Sequence, residues 1–287
     1  MKTVVITGAT SGIGFAVARK LTGKGYSVIG IGHSKINCDI AKTHILAENP
    51  DAKITYFVAE LMQQREVNRV SEIIEKYISE HCNGELYALI NNVGGVRSLY
   101  TTTEEGYEQQ FALNHLAGFL LTYRLLPFIE KAQGRIIMTG SGSHNGISIH
   151  WNDVMLKNGY NPLIAYKQSK HCNILFARGL NDRYSQYGIR AYTVDPGLVN
   201  TDIGNKHTGG LVNLIWSLRK KHGVNPDIPA NTYVFLCENE AAPSGLYYYL
   251  CHEQAYSKQV IEANADRLFD LSEKLCGIQF EEREAES

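Results

Sequence analysis

Short apolar runs rich in β-branched residues recur along this chain, and each is followed by a longer stretch with the period of a helix. The runs fall at 4–7, 28–31, 54–58, 88–91, 135–139, 191–195 and 245–250, and the helical stretches include 12–22, 64–79, 103–129, 166–184 and 229–237. A short strand that is apolar on both sides is buried on both sides. Strands alternating with helices require a parallel sheet with helices packed over its two faces. The pattern predicts an α/β chain with one doubly wound domain over residues 1–280 and a mostly parallel seven-stranded sheet. Long linkers, repeats and low-complexity tracts are absent, and the acidic end 281–287 reads as a flexible tail.

Composition excludes several classes of function. At 287 residues and 44% hydrophobic, the chain can bury a large core. Lys and Arg number 28 against 29 Asp and Glu, so no broad basic field invites nucleic acid. The six cysteines, at 38, 82, 172, 237, 251 and 276, form no CxxC pair and no metal spacing, so reduced thiols and no metal are expected. No run approaches the roughly 18 apolar residues of a membrane span. The N-terminus lacks the order of a signal peptide, and strand-like sequence from Thr3 leaves no room for an anchor. A cytoplasmic protein is expected.

Three short stretches carry the chemistry. The first is "TGATSGIG", residues 7–14, directly after the first strand. In a doubly wound fold ligands bind beyond the carboxyl ends of the strands. Gly8 can make the tight turn there, while Gly12 and Gly14 let backbone approach a diphosphate and pack a helix on the sheet. That helix would aim its free N–H groups at the phosphates. The second is "LINNVGG", residues 89–95, whose Asn91, Asn92 and Gly94 can close over an adenosine or lock the strand edge. A plain turn explains this stretch equally well. The third is "AYKQSK", residues 165–170, which puts Tyr166 and Lys170 on one helix face. Free tyrosine titrates near 10 and is a poor base at neutrality; a neighbouring ammonium lowers that value. Such a group can trade a proton with an alcohol while hydride moves at carbon. An isolated Tyr–Lys pair could equally decorate a surface.

Taken in order, these motifs resemble the short-chain dehydrogenase/reductase family. Its TGxxxGxG pattern is met by Thr7, Gly8, Gly12 and Gly14; its NNAG pattern by Asn91, Asn92 and Gly94, with Val93 in place of alanine; its YxxxK pattern by Tyr166 and Lys170. The phrase "FALNHLAGFLLTYRLLP" marks Asn114 as the family's catalytic asparagine, and "VDPGLVNT", 194–201, is similar to its PG motif. Matching strand residues in "RIIMTGSGSHNG" places Ser141, rather than Ser143, on the catalytic serine position. The long insert before Tyr166, "NHLAGFLLT" and "SKHCNILFARGL" resemble the retinol-dehydrogenase-like branch. The resemblance covers nearly the whole chain.

What the resemblance implies is specific. The fold is a Rossmann domain and the activity is NAD(P)-dependent hydride transfer at a carbinol carbon. Tyr166 is the general acid and base, Lys170 lowers its pKa and bonds the nicotinamide ribose, Ser141 donates to the substrate oxygen, and Asn114 holds a relay water. The cofactor is expected against Gly8, Thr10, Ser11, Gly12, Ile13 and Gly14, then Glu60 and Leu61, then Asn92, Val93 and Gly94, and finally Pro196, Gly197, Val199 and Thr201. Thr201 also fits a helix cap. Where an acid would bond the ribose 2′-OH, this chain has Gly32, His33, Ser34 and Lys35. Charge complementarity therefore favours NADP, with NAD possible. The substrate is expected to be a bulky apolar alcohol or ketone, hydroxysteroid- or retinoid-like. Its pocket is assigned to 146–163 and 203–225, with His150, Trp151, Tyr160, Leu211 and Trp216 as walls. Apolar residues around the 103–129 helix point to a homodimer. The competing reading is a regulator that senses the nucleotide without turnover; such proteins usually lose part of the Tyr–Lys pair. An isomerase or dehydratase on the same scaffold is a third reading.

Overall fold

The computed structural model describes residues 1–199, 223–239 and 242–281. Its elements run β1 (Thr3–Thr7), α1 (Gly12–Gly23), β2 (Ser27–Gly32), α2 (Lys35–Glu48), β3 (Ile54–Val58), α3 (Gln64–His81) and β4 (Ala88–Asn91). There follow α4 (Gln109–Phe111), a π-helical turn (Ala112–Leu116), α5 (Ala117–Lys131), β5 (Arg135–Thr139), α6 (Pro162–Tyr184) and β6 (Arg190–Val194). The chain closes with α7 (Asp227–Glu238), β7 (Tyr247–Tyr249), β8 (His252–Glu253) and α8 (Glu262–Cys276). The sheet order is β3-β2-β1-β4-β5-β6-β7-β8, parallel except for the last pair.

Alternation along each strand feeds two cores. Val4 and Ile6 point to the face covered by α1 and α7, with Val17, Leu21, Tyr233 and Leu236. Val5 points to the opposite face, with Phe119, Phe176 and Leu180 of α5 and α6. The strand order reverses between β1 and β4, which both carry their loops to one end of the sheet. That crevice is where a doubly wound sheet binds ligands.

The sheet has eight strands rather than seven, because a turn with Leu250 and Cys251 at positive φ folds β8 back onto β7. Helix α2 escapes the hydrophobic period because only Cys38, Ala41 and Ile45 are buried along it. The stretch expected as helix from 103 begins at Gln109 instead. Gly106, at φ +86, closes a turn that returns Thr103 N–H to the Tyr107 carbonyl at 2.8 Å. The buried Glu108 carboxylate then caps α4, accepting from Gln110 N–H and Phe111 N–H at 2.9 and 2.8 Å.

Most of the apolar residues that pointed to a homodimer are buried within the chain, Leu113 only partly. Phe111, Leu116, Phe119, Leu120 and Leu125 are all buried. Phe119 lies 4.8 Å from Phe176, 5.4 Å from Phe269 of α8 and 5.2 Å from Phe280, centroid to centroid. The C-terminal segment thus packs on part of this apolar surface.

Candidate active site

The turn after β1 is built from backbone. Gly8 and Gly12 sit at φ +66 and +55, where a side chain is strained. A Cβ on Gly14 would lie 2.3 Å from the Gly8 carbonyl oxygen and 2.6 Å from Asn92 Nδ2, so only glycine lets α1 seat this close. The first turn of α1 holds no acidic residue, and Ser11 is extended with no side-chain cap bond. Its N–H groups thus face a crevice of about 220 Å³. Gly8, Thr10, Ser11, Gly12, Ile13, His33, Glu60, Leu61, Asn92, Val93 and Gly94 line it. An uncapped helix end with no acid in its first turn, above a glycine turn, fits a dinucleotide diphosphate.

The end of β4 is tied to β1 across the crevice floor. Thr7 Oγ1 accepts from Asn92 N–H and Val93 N–H, both at 2.9 Å, and Asn92 Nδ2 donates to the Thr7 carbonyl at 3.0 Å. Asn91, by contrast, points into the core, donating to Thr122 Oγ1 at 3.2 Å. Asn114 lies in the π-helical turn, a local widening often found at functional positions. Its Oδ1 accepts from Gly95 N–H at 2.8 Å while its Nδ2 donates to the Gly95 carbonyl at 3.0 Å and to Ser169 Oγ at 2.9 Å. The loop carrying Gly94 is thereby clamped to the helix carrying Asn114.

Asn161 caps α6 and Pro162 starts it, four residues before Tyr166. One turn on from Tyr166, Lys170 is 3% exposed. Its Nζ donates to the Thr139 carbonyl at 3.0 Å and stands 5.7 Å from the centre of the Tyr166 ring. Burial pushes this ammonium down to about 8, and the Asp195 carboxylate pulls the other way. The group remains mostly charged at neutrality, and no side-chain carboxylate among the described residues forms a direct ion pair with it.

Ser141 follows the same strand by two residues. Its Oγ accepts from Ser143 N–H at 3.2 Å and from Ser143 Oγ–H at 2.9 Å. Its own proton is left to donate elsewhere, which suits a substrate oxygen. The buried His144 donates through Nδ1–H to the Ser141 carbonyl at 2.7 Å and accepts from Ser257 N–H at 3.2 Å through Nε2. Those two partners define its neutral tautomer.

Several expected contacts are placed elsewhere. Ser34 caps α2, and the exposed Lys35 pairs with Asp39 one turn along, so His33 alone of that trio lines the crevice. Tyr160 is a clamp rather than a pocket wall. Its hydroxyl accepts from Gln110 Nε2 at 2.6 Å and lies 3.0 Å from the Arg97 carbonyl and 3.1 Å from Glu108. His150 and Trp151 line a separate cleft with Arg267, whose guanidinium sits 4.6 Å over the Trp151 ring. Gly197, at φ +66, follows Pro196 and packs under Tyr249, and Val199 bridges to Val224. Thr201, Leu211 and Trp216 lie outside the described residues, as does most of 203–225 and of the tail. The crevice also takes Gly32 and Gly95, which lie in the stretches already named, and Ile31, Ala59, Arg97 and Leu113, which no motif flagged. Adjacency to "NNVGG" alone could have pointed to Arg97. Among the described residues no cluster of His, Cys, Asp and Glu is arranged to hold a metal, and no helix is long and apolar enough to cross a membrane.

Comparison with known proteins agrees with this arrangement. Residues 2–210 match the family model described as short chain dehydrogenase. Retinol dehydrogenase 12 of Mus musculus is 32% identical over 98% of this chain and 88% of its own length. Retinol dehydrogenase 13 of Homo sapiens is 31% identical over 97% and 85%. A crystal structure of a protein from Mycobacterium paratuberculosis superposes with a TM-score of 0.74 at 26% identity, covering 98% of this chain and 95% of that one. A short-chain dehydrogenase from Sphingobium yanoikuyae in complex with NADPH superposes at 0.68 with 20% identity, over 100% and 99%. The chain therefore belongs to the short-chain dehydrogenase family, in its retinol-dehydrogenase-like branch, and is an NAD(P)-dependent oxidoreductase.

Proposed function

We propose that the protein interconverts a secondary alcohol and a ketone, or an alcohol and an aldehyde, on a bulky apolar substrate of retinoid or hydroxysteroid type, in the cytoplasm and with NADP. The observation that carries the reading is the buried ammonium of Lys170 beside the Tyr166 ring. Its charge stabilises the phenolate and brings a tyrosine toward the working range of a general acid and base. When bound, NADPH supplies the hydride and NADP⁺ accepts it. In reduction, Tyr166 O–H gives its proton to the substrate oxygen, and Ser141 Oγ–H donates a hydrogen bond to the same oxygen as charge develops there. In oxidation the phenolate takes the alcohol proton. Lys170 would also hold the ribose hydroxyls of a bound cofactor, and Asn114 steadies the Gly94–Gly95 loop that would border it.

Substrate class rests on the relatives, which are retinol dehydrogenases. Preference for NADP rests on the end of β2. A Cβ on Gly32 would come within 2.5 Å of Thr10 Cγ2 and 2.6 Å of Cys38 Sγ, so a ribose-binding acid cannot be seated there without displacing both. His33 is exposed and lines the crevice, and an imidazole can bond a 2′-phosphate where a carboxylate would repel it. The test is NADPH and NADH oxidation against all-trans-retinal, steroid ketones, quinones and small ketones. Turnover of a bulky apolar carbonyl with NADPH is expected. Tight cofactor binding with no turnover across the panel would replace this reading with that of a nucleotide sensor. His33→Asp should move the preference toward NADH by about tenfold or more, roughly the 1.4 kcal/mol of one charge-assisted contact; an unchanged ratio would remove His33 from the phosphate site.

A further inference from the structure

We infer that Asn173, oriented by the buried His115 and through it by Ser272 of α8, is a positioning residue for the catalytic lysine and for the π-helical turn at Asn114. The inference rests on the assignment of Lys170 and Asn114 to the active site.

Counting donors and acceptors fixes the direction of every bond in this network. Asn173 Nδ2 donates to the Asn114 carbonyl at 2.9 Å and to the Thr139 carbonyl at 3.0 Å, so both of its protons are committed. Its Oδ1 must then accept, and it does so from His115 Nδ1–H at 3.3 Å. That leaves His115 Nε2 without a proton, free to accept from Ser272 Oγ–H at 2.9 Å. No alternative amide flip satisfies the two carbonyls.

Both carbonyls belong to the catalytic end of the sheet. The Thr139 oxygen also accepts from Lys170 Nζ at 3.0 Å, so the amide and the ammonium are seated on one acceptor. The Asn114 carbonyl lies in the π-helical turn, whose side chain clamps Gly95. Asn173 therefore bridges the strand that seats Lys170 and the helix that carries Asn114. It stands three residues after Lys170 on α6, so the same helix supplies both groups.

The surroundings argue against mere packing. His115, Asn173 and Ser272 are 0%, 1% and 0% exposed. The His115 ring lies among Phe111, Phe119 and Phe176, at 5.3, 5.9 and 6.0 Å. An apolar side chain would fill that site without the cost of burying an imidazole. Burial pushes His115 down to about 4, so the ring is neutral through the working range and acts as a fixed orienting group, not a switch. Ser272 is 157 residues away in sequence, which makes the C-terminal helix the outer brace of the catalytic site.

Two arms test this. Crystal structures of the wild type and of Asn173→Leu, each grown with NADP⁺, are compared first. Displacement of Lys170 Nζ from the Thr139 carbonyl in the variant is expected; an unmoved lysine overturns the inference whatever the substrate proves to be. The second arm measures kcat and KM with NADPH and all-trans-retinal. Asn173→Leu should lower kcat by about 10- to 100-fold, the scale of an ångström-level misplacement, with the KM for NADPH within about twofold of wild type. Asn Nδ2 stands as many bonds from its Cα as His Nδ1, so His115→Asn should recover most of the rate lost in His115→Leu. Equal rates for those two variants, or an unchanged kcat in Asn173→Leu, would reduce the network to packing. If Asn173→Leu does not fold, the His115 pair decides. A wild type that turns over no carbonyl counts against the proposed function, and the crystallographic arm still decides this inference.

Discussion

The two sides of the crevice are built by different means. On the cofactor side, residues 8–14 make the site from their own backbone, and glycine conformations do the shaping. On the catalytic side, Lys170, Ser141 and Asn114 are not placed by their neighbours alone. Lys170 is seated on a β5 carbonyl, Ser141 is braced by His144 from the loop at Ser257, and Asn114 is linked through Asn173 and His115 to α8. The difference teaches that a binding surface can be encoded locally, whereas a proton-transfer geometry here is held by contacts that span up to 157 residues of the chain.

If the sides are separable, Tyr166→Phe should remove about 10²–10⁴-fold of the rate while cofactor affinity is kept. Steady-state kinetics and a cofactor fluorescence titration check both halves of that statement. Loss of affinity together with rate would mean that the sides cannot be separated. Ser141→Ala should cost about 10²–10³-fold, as for a lost oxyanion donor. Ser143→Ala should cost only a few-fold, since it removes one bond that orients Ser141. The reverse ranking would exchange their roles.

Gly14→Ala attacks the opposite side. The added methyl would meet backbone at Gly8, so the turn must shift. A loss of stability of about 1–3 kcal/mol and a cofactor Kd raised about tenfold or more are expected. A normal Kd would show that the close approach of α1 is not what shapes the crevice.

The smallest effect is a pH dependence confined to the catalytic side. Burial lowers His115 and His171 to about 4 and lowers His144 as well. The carbonyls of Ile147 and His144 favour the charged form of His171 slightly, yet neither of its ring nitrogens reaches hydrogen-bond geometry. A histidine in the unfolded chain titrates near 6.5. Between about 4 and 6.5 the unfolded chain therefore binds more protons than the folded one. Stability from His115 and His171 is complete above about 6.5 and is lost as pH falls toward 4, and the lowered His144 acts in the same direction. Thermal melts should drop by about 5 °C or more between pH 7 and pH 5, and by less in His171→Phe, which has no proton to take up. Equal drops in both proteins would trace the acid sensitivity to other groups.

The alternation of runs, the glycine turn, the Asn92–Gly94 stretch and the Tyr166–Lys170 spacing were legible because each depends on residues close in sequence. The placements that the sequence did not reveal share one cause. Tyr160, His150 and Trp151 looked like pocket walls because aromatic residues in an insert have no local rule that says which way they face. Ser34 and Lys35 looked like phosphate ligands because a cap and an i,i+4 ion pair are satisfied only once α2 exists. Nothing within 103–129 reveals that Phe269 and Phe280 will pack on Phe119.

By itself the sequence determined the doubly wound architecture, the end of the sheet that carries the crevice, and the tyrosine–lysine spacing on one helix face. These follow from periodicity and backbone conformation, which act over a few residues. Only the tertiary structure decided that Gly32 has no room for an acid, that Ser141 keeps a proton to donate, and that His115 and Asn173 brace Lys170 from α8. Each of those facts is a distance between segments far apart in the chain. Such distances are set by how the helices pack on the sheet, and no local pattern carries them.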